Sequence, residues 1–499
     1  MLRFERRQFL MGAVAAVTTA GSLAWPNRSA RAEPISLSVV SRTIDVNGKP
    51  AKVFGIVQPG GTHGLVTEAG RRFQVSLANN VAAPTLIHWH GLTPPSNQDG
   101  VPGLSQPPLD PGKSYAYDFP LTQPGTNWMH SHVGFQEQQL MAAPLIVRDP
   151  RDAGRDEQEV VILFHDFTFR QPEEIFAELT SGMAGMDHGA GARPPANAKG
   201  ADPHAGMAMG GASPSAPPAA NKVTTAGKTD LNDVDYDAYL ANDRTLADPE
   251  VIRVESGGQV RLRLINGAAS TNFLVDLGVI EGELVAVDGL PVQPVRGRRF
   301  EFAIAQRLDI RFRLPQGQGS YPVLAVREGD VARTGIVLAT KDAKIVRVSD
   351  KAPDAAPAVG LALERRLVAA APLTARKADR KMTLDLTGDM AKYVWTLNGK
   401  RYGEHTPLSV RQGERVEIAM RNVTEMSHPM HLHGHHFQVV EIDGYRLSGA
   451  VRDTVLVPAK GAVTIAFDAG NPGHWAFHCH NSYHMAAGMM TSVKYDGSV

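Results

Sequence analysis

Four histidine pairs, each split by one residue, carry the chemistry of this sequence: His88-Trp89-His90, His130-Ser131-His132, His431-Leu432-His433 and His478-Cys479-His480. Alternate side chains of a β-strand share a face. Each pair therefore aims two imidazoles in one direction, close enough to serve two neighbouring metal ions. Imidazole suits copper, zinc, iron and nickel. Three adjacent metals holding three, three and two ligands would use all eight histidines. One such pair is more often ordinary core or surface, but ten of the 18 histidines fall in these clusters and their flanks. Cys479 lies between His478 and His480, so its sulfur points to the opposite face. His484 follows it by five residues, Met489 by ten, and His428 precedes His431 by three. Two imidazoles, a thiolate and a weak thioether match a blue-copper electron-transfer site. The short backbone path from the Cys479 sulfur to His478 and His480 would wire a one-electron centre to a metal cluster. Structural zinc sites are closed tetrahedral Cys/His sets, and this arrangement is too rich in histidine for one.

The elements that must position these residues come as a threefold repeat. Gly70, Phe73, Val75, Leu77 and Asn79 share their spacing with Gly257, Val260, Leu262, Leu264 and Asn266, and with Gly413, Val416, Ile418, Met420 and Asn422. Period-two alternation predicts a half-buried strand in each. Nine residues after the asparagine stand His88, Val275 and His431; five residues after Gly125, Gly319 and Gly473 stand His130, Leu324 and His478. The outer repeats keep the histidines and the middle one does not. This predicts a metal site shared between domains 1 and 3, with domain 2 as a spacer. The expected organisation is all-β, with β-sandwich or Greek-key barrel domains at 33–150, 151–342 and 381–499 and a linker at 343–380. Short helices are expected near 172–180 and 484–487.

Lysine plus arginine balances aspartate plus glutamate at 51 each, which argues against a nucleic-acid-binding surface. A lone cysteine excludes an intrachain disulfide and a multi-cysteine metal site. At the start, Arg6-Arg7-Gln8-Phe9-Leu10 precedes an uncharged, largely apolar run and then Ala30-Arg31-Ala32. This layout predicts a signal peptide over 1–32, cut after Ala32 and too short in its apolar run for a good membrane span. The paired arginines resemble a twin-arginine (Tat) signal, with Glu5 where Ser or Thr is usual. A folded, exported bacterial periplasmic protein without a membrane anchor is expected, with the Tat machinery as a partner.

The motifs His-Trp-His-Gly, His-Ser-His, His428-Pro-Met-His-Leu-His-Gly-His and His478-Cys-His-x3-His-x3-Gly-Met489 resemble the four signatures of the multicopper oxidases, in order and spacing over the whole mature chain. The sequence is most similar in kind to the three-domain bacterial copper-resistance and copper-efflux oxidases. That resemblance implies three cupredoxin domains and four coppers. His428, Cys479, His484 and axial Met489 would hold type 1 copper, and His88 and His431 type 2. His90, His130 and His480 would hold one type 3 copper, and His132, His433 and His478 the other. Electrons taken singly from a reductant would then reduce molecular oxygen to water, through Cys479, His478 and His480.

Further residues carry weaker expectations. Asp99 stands where the family has an acid that helps deliver protons, although Asp-Gly also suits a turn. Efflux oxidases often place an acid after the histidine at 484, and here Met485 follows. Asp453 fits either an outer-shell role or the surface. Residues 181–229, rich in Ala, Gly and Pro, read as a mobile insert holding Met183, Met186, His188, His204, Met207 and Met209. Soft thioethers prefer Cu(I). Glu425 and Met426 are further candidates for a substrate copper site, with Thr424 where the family's acid often stands. The expected activity is oxidation of Cu(I), with laccase-like action on small aromatic reductants, in periplasmic copper tolerance, by a monomer. A phenol, Mn(II) or Fe(II) oxidase without that role is the alternative. A non-enzymatic copper protein is disfavoured by the complete ligand set, and a nitrite reductase by the three repeats.

Overall fold

The computed structural model describes residues 34–181 and 231–497. The expected signal peptide and the six Met and His residues of the expected insert lie outside these. The three repeats become the strands Arg72–Asn79, Gln259–Asn266 and Arg415–Asn422, which begin and end at the same register. Each pairs in parallel with the strand that opens its unit, respectively Ile35–Val46, Gln158–Phe167 and Arg380–Asp389. Each pairs antiparallel on its other side with Ser114–Pro120, Arg307–Arg313 or Ala462–Asp468. A second sheet faces the first in every unit, and the side chains between them form one core per unit. Examples are Leu77, Trp89 and Leu145; Leu262, Val275 and Leu338; Ile418, Leu432 and Phe477. The chain is thus an all-β protein of three cupredoxin-like sandwiches.

The asparagine closing each repeat explains why it recurs. Asn79, Asn266 and Asn422 are buried, and each Oδ1 accepts the backbone N–H two residues on, at 2.9–3.1 Å. Each Nδ2 donates to two carbonyls, one on the turn it starts and one on a distant segment: Ala83 and Leu109, Thr271 and Phe302, Met426 and Val457. The side chain thereby latches the strand end to the turn that leads to the histidine register.

The middle repeat departs from the expected half-buried pattern: all but its first residue are buried. Its outward face meets the first unit. Arg261 and Arg263 both donate to Asp309, and Arg263 also reaches the Thr126 hydroxyl at 3.0 Å. Part of the expected linker at 343–380 packs as well. Leu361, Leu363 and Leu367 are buried around the short 3-10 turn Glu364–Arg366. The helix Pro172–Thr180 forms as expected. The second, Ser482–Ala486, starts two residues early because the Asn481 side chain caps it by accepting from Tyr483 and His484 N–H.

Replacing Asn266 with alanine strands two buried carbonyls and an amide. It should lower the urea midpoint by the equivalent of about 1–3 kcal/mol without changing copper content, since the middle unit carries none of the histidine pairs. An unchanged midpoint would show the latch to be dispensable.

Candidate metal centre

Sheet register brings the pairs together. His88 lies directly opposite His130 on neighbouring strands, and His431 opposite His478, whereas the middle unit sets Val275 against Ala325. Across the seam between the first and third units, the Nε2 atoms of His88 and His431 stand 3.4 Å apart. All eight histidines assemble there. His90, His130 and His480 offer nitrogens within 4.8 Å of one another, as do His132, His433 and His478, while His88 and His431 close the set.

Hydrogen bonds fix which nitrogen of each ring carries the proton. His433 Nδ1 faces the Asp99 carboxylate at 2.8 Å and His478 Nδ1 faces the Cys479 carbonyl at 2.9 Å. Both partners only accept, so both Nδ1 atoms are N–H and both Nε2 atoms present lone pairs. Those Nε2 atoms are 3.0 Å apart, and His132 Nε2 is 3.4 Å from that of His478. Burial holds these three rings well below the usual imidazole range, His478 down to about 3, so protonation does not relieve the repulsion. The Nε2 atoms of His88 and His431 also face each other, because their Nδ1 atoms donate to the carbonyls of Asp99 and Asp453. A shared cation does relieve the repulsion. Two nitrogens each about 2.0 Å from one metal stand about 2.8–3.3 Å apart at angles of about 90–110°.

The remaining triad gives an independent sign. Among the described residues, His90 Nδ1, His130 Nε2 and His480 Nε2 are buried without a hydrogen-bond partner. Their other nitrogens are occupied or faced. His90 Nε2 donates to Asp453 at 3.1 Å, His130 Nδ1 lies 2.8 Å from Glu137, and His480 Nδ1 lies 3.7 Å from Glu137. Trp128 stacks on His130 with centroids 4.3 Å apart. Orphaned buried nitrogens are costly, and three converging ones fit a metal ion. Burial alone would raise the Asp453 carboxyl, but the Arg307 guanidinium overrides it and holds the group well below the usual carboxylate range.

Cys479 turns away into the core of the third unit, as strand alternation requires. Its sulfur lies 3.7 Å from Nδ1 of both His428 and His484, whose Nδ1 atoms are 3.0 Å apart. A sulfur about 2.3 Å and a nitrogen about 2.0 Å from one metal, at about 120°, stand about 3.7 Å apart. These residues fit a trigonal copper site. Burial pushes the free thiol's pKa up, so the thiolate needs a cation beside it. Met489 is buried in the same core. The outer nitrogens of both histidines are engaged. His428 Nε2 lies 2.8 Å from the Thr424 hydroxyl and His484 Nε2 lies 3.2 Å from Asp233. Asn481 also donates to Asp233 at 2.7 Å.

Other expected residues are placed plainly. Asp99 is buried behind the cluster, touching His88 and His433. Asp453 is buried, not on the surface. Met426 is buried in the third core, while Glu425 is exposed and pairs with Lys460 at 2.6 Å. Met485 is half-buried. Sequence reading missed Asp233 and Arg307, which reach the site from distant segments, and Glu137, which follows His130 by seven residues; none carries a motif of its own.

Models of multicopper oxidase domains match residues 40–152, 159–344 and 376–498. The multicopper oxidase MmcO of Mycobacterium tuberculosis is 30% identical over 99% of this chain and 97% of its own. Copper resistance protein A of Escherichia coli is 26% identical over 99% of both chains. The crystal structure of a laccase from Botrytis aclada superposes with a TM-score of 0.71 at 22% identity, covering 92% of this chain and 86% of that one. A likeness that runs end to end, over a seam whose facing nitrogens call for metal, places this chain in the multicopper oxidase family, as a copper-dependent oxidoreductase.

Proposed function

We propose that the protein is a cuprous oxidase of the bacterial periplasm, exported by the Tat route and serving copper tolerance, with laccase-like action on small aromatic reductants. In this reading it would hold four coppers. His428, Cys479, His484 and Met489 would hold the type 1 copper, His88 and His431 the type 2 copper, and the two histidine triads the type 3 pair. Bound copper would supply the one-electron chemistry that couples a donor's oxidation to the reduction of oxygen to water. The protein's own residues do the rest. Cys479 links the two sites covalently through His478 and His480. Asp99 holds His88 and His433 in register, and its carboxylate can take part in moving protons at that edge. The buried seam keeps bulk water from the cluster.

The observation that carries the Cu(I) assignment is the packing of the segments on either side of the Met/His-bearing stretch. Before it, the helix Pro172–Thr180 buries Ile175 and Leu179 in the third unit's core, with Phe176 against Tyr393. After it, Asp233 bonds His484 and Val234 joins the same core. The sequence on both sides of the methionines thus belongs to the core that holds Cys479. The copper-resistance relatives support the same direction.

Replacing Met183, Met186, Met207 and Met209 together should slow Cu(I) oxidation severalfold at saturating oxygen while phenol oxidation holds. Unchanged Cu(I) turnover beside brisk phenol turnover would assign a laccase instead. A second prediction concerns Met489. Leucine has nearly its volume, so Met489→Leu should fold at a cost below about 1.5 kcal/mol. Loss of the weak thioether donor should raise the type 1 potential while the blue absorption persists. An unchanged potential would remove Met489 from the axial position.

A further inference from the structure

The middle unit carries no copper ligand, yet it reaches the cluster through one fully buried side chain. Arg307 opens the strand Arg307–Arg313. A guanidinium has five N–H donors, and all five are used here. Nε donates to the Thr126 carbonyl at 3.0 Å. Nη1 donates to the Ala305 carbonyl at 3.3 Å and Asp453 Oδ1 at 2.7 Å. Nη2 donates to the Asp288 carbonyl at 3.1 Å and Asp453 Oδ2 at 2.5 Å. These partners belong to all three units. Thr126 lies on the strand that carries His130, and Asp453 adjoins the strand that carries His431.

Asp453 Oδ1, fixed by Arg307, accepts from His90 Nε2, and the Thr454 hydroxyl, which itself donates to Asp453 Oδ1, faces the same nitrogen at 3.2 Å. Proton on Nε2 means lone pair on Nδ1, and Nδ1 is the orphan that converges with His130 and His480. The ring has another choice, because it stacks on His431 with centroids 3.7 Å apart and belongs equally to the His88–His431 group. The approach is close enough to constrain the motif itself. A Cβ on Gly91 would lie 2.5 Å from Arg307 Nη2 and 2.3 Å from Asn127 Oδ1, at a φ of +93°. The glycine after His90 leaves room for the arginine.

We propose that Arg307 is a positioning residue of the oxygen-reducing cluster: through Asp453 it selects which nitrogen of His90 is offered to copper, so the ligand-free unit completes a type 3 site. This rests on the four-copper reading. The partners are bidentate and planar, so lysine cannot replace the fork.

The test compares copper-loaded full-length wild type, Arg307→Gln, and the double variant Arg307→Gln/Asp453→Asn. The double variant removes both charges and leaves no unpaired buried ion, so it decides the matter should the single variant fail to fold. Both variants should keep the blue absorption of the thiolate site and its bleaching by reductant. Both should lose the near-ultraviolet absorption of the coupled pair, gain paramagnetic copper per bound copper, and lose oxygen consumption by about 10–100-fold. Coupled-pair absorption at wild-type level in the folded variants, or blue and near-ultraviolet signals falling in equal proportion, would overturn the proposal. A wild type that bound copper without either signal would overturn the four-copper reading first.

Discussion

Two unprotonated nitrogens 3.0 Å apart in a dry interior repel each other unless something positive lies between them, and this constraint governs the whole molecule. His433 and His478 are in that position because each donates its one proton outward, to Asp99 and to the Cys479 carbonyl. Repulsion between neutral rings is tolerable where the surrounding fold is rigid. Here it is met by three sandwiches with separate cores, each built around the same parallel pairing and the same asparagine latch. The fold holds lone pairs together, and metal binding converts that stored opposition into coordination.

Burial does two things at once. It disfavours protonation of His90, His132, His433 and His478, leaving them in the neutral state a ligand must have, and it makes every unpaired polar group expensive. The outward-facing nitrogens are therefore tied off one by one, to Asp453, Asp99, Thr424 and Asp233 and to backbone carbonyls. Carboxylates placed there need their own compensation. Arg307 pairs with Asp453, while Arg452 pairs with Asp288 and Glu364. A chain of buried charges thus runs from the cluster through the middle unit to the segment joining it to the third.

The ligands were legible in the sequence because the information that places them is local. His-x-His on a strand, the sulfur on the opposite face, and a fixed count from a repeated asparagine are all statements about periodicity. Asp99 was singled out only by the family resemblance, since Asp-Gly by itself also suits a turn. What orients the ligands was not legible. Asp233 meets His484 across 251 residues of sequence, and Asp453 meets His90 across 363. No spacing rule spans such separations. The Arg-Asp-Thr tripeptide at 452–454 left burial and surface equally open, and only the closure of the seam decides between them. The middle repeat shows the opposite failure. Its alternation predicted a half-exposed strand, but Arg261 and Arg263 are buried by partners that alternation cannot see.

The thiolate site bears on how electrons reach the protein. His484 and His428 are fully buried, and their outer nitrogens already have partners. Within the described residues, then, no donor can lie directly against either imidazole edge. An electron entering here crosses Asp233, Thr424 or the aromatic wall of Tyr393 and Trp395, the latter with its ring centroid 4.3 Å from that of His484. A donor that works by stacking on an open imidazole is poorly served by such a rim. The same cover that limits access to bulky donors also keeps water from the Cys479 sulfur, which is fully buried.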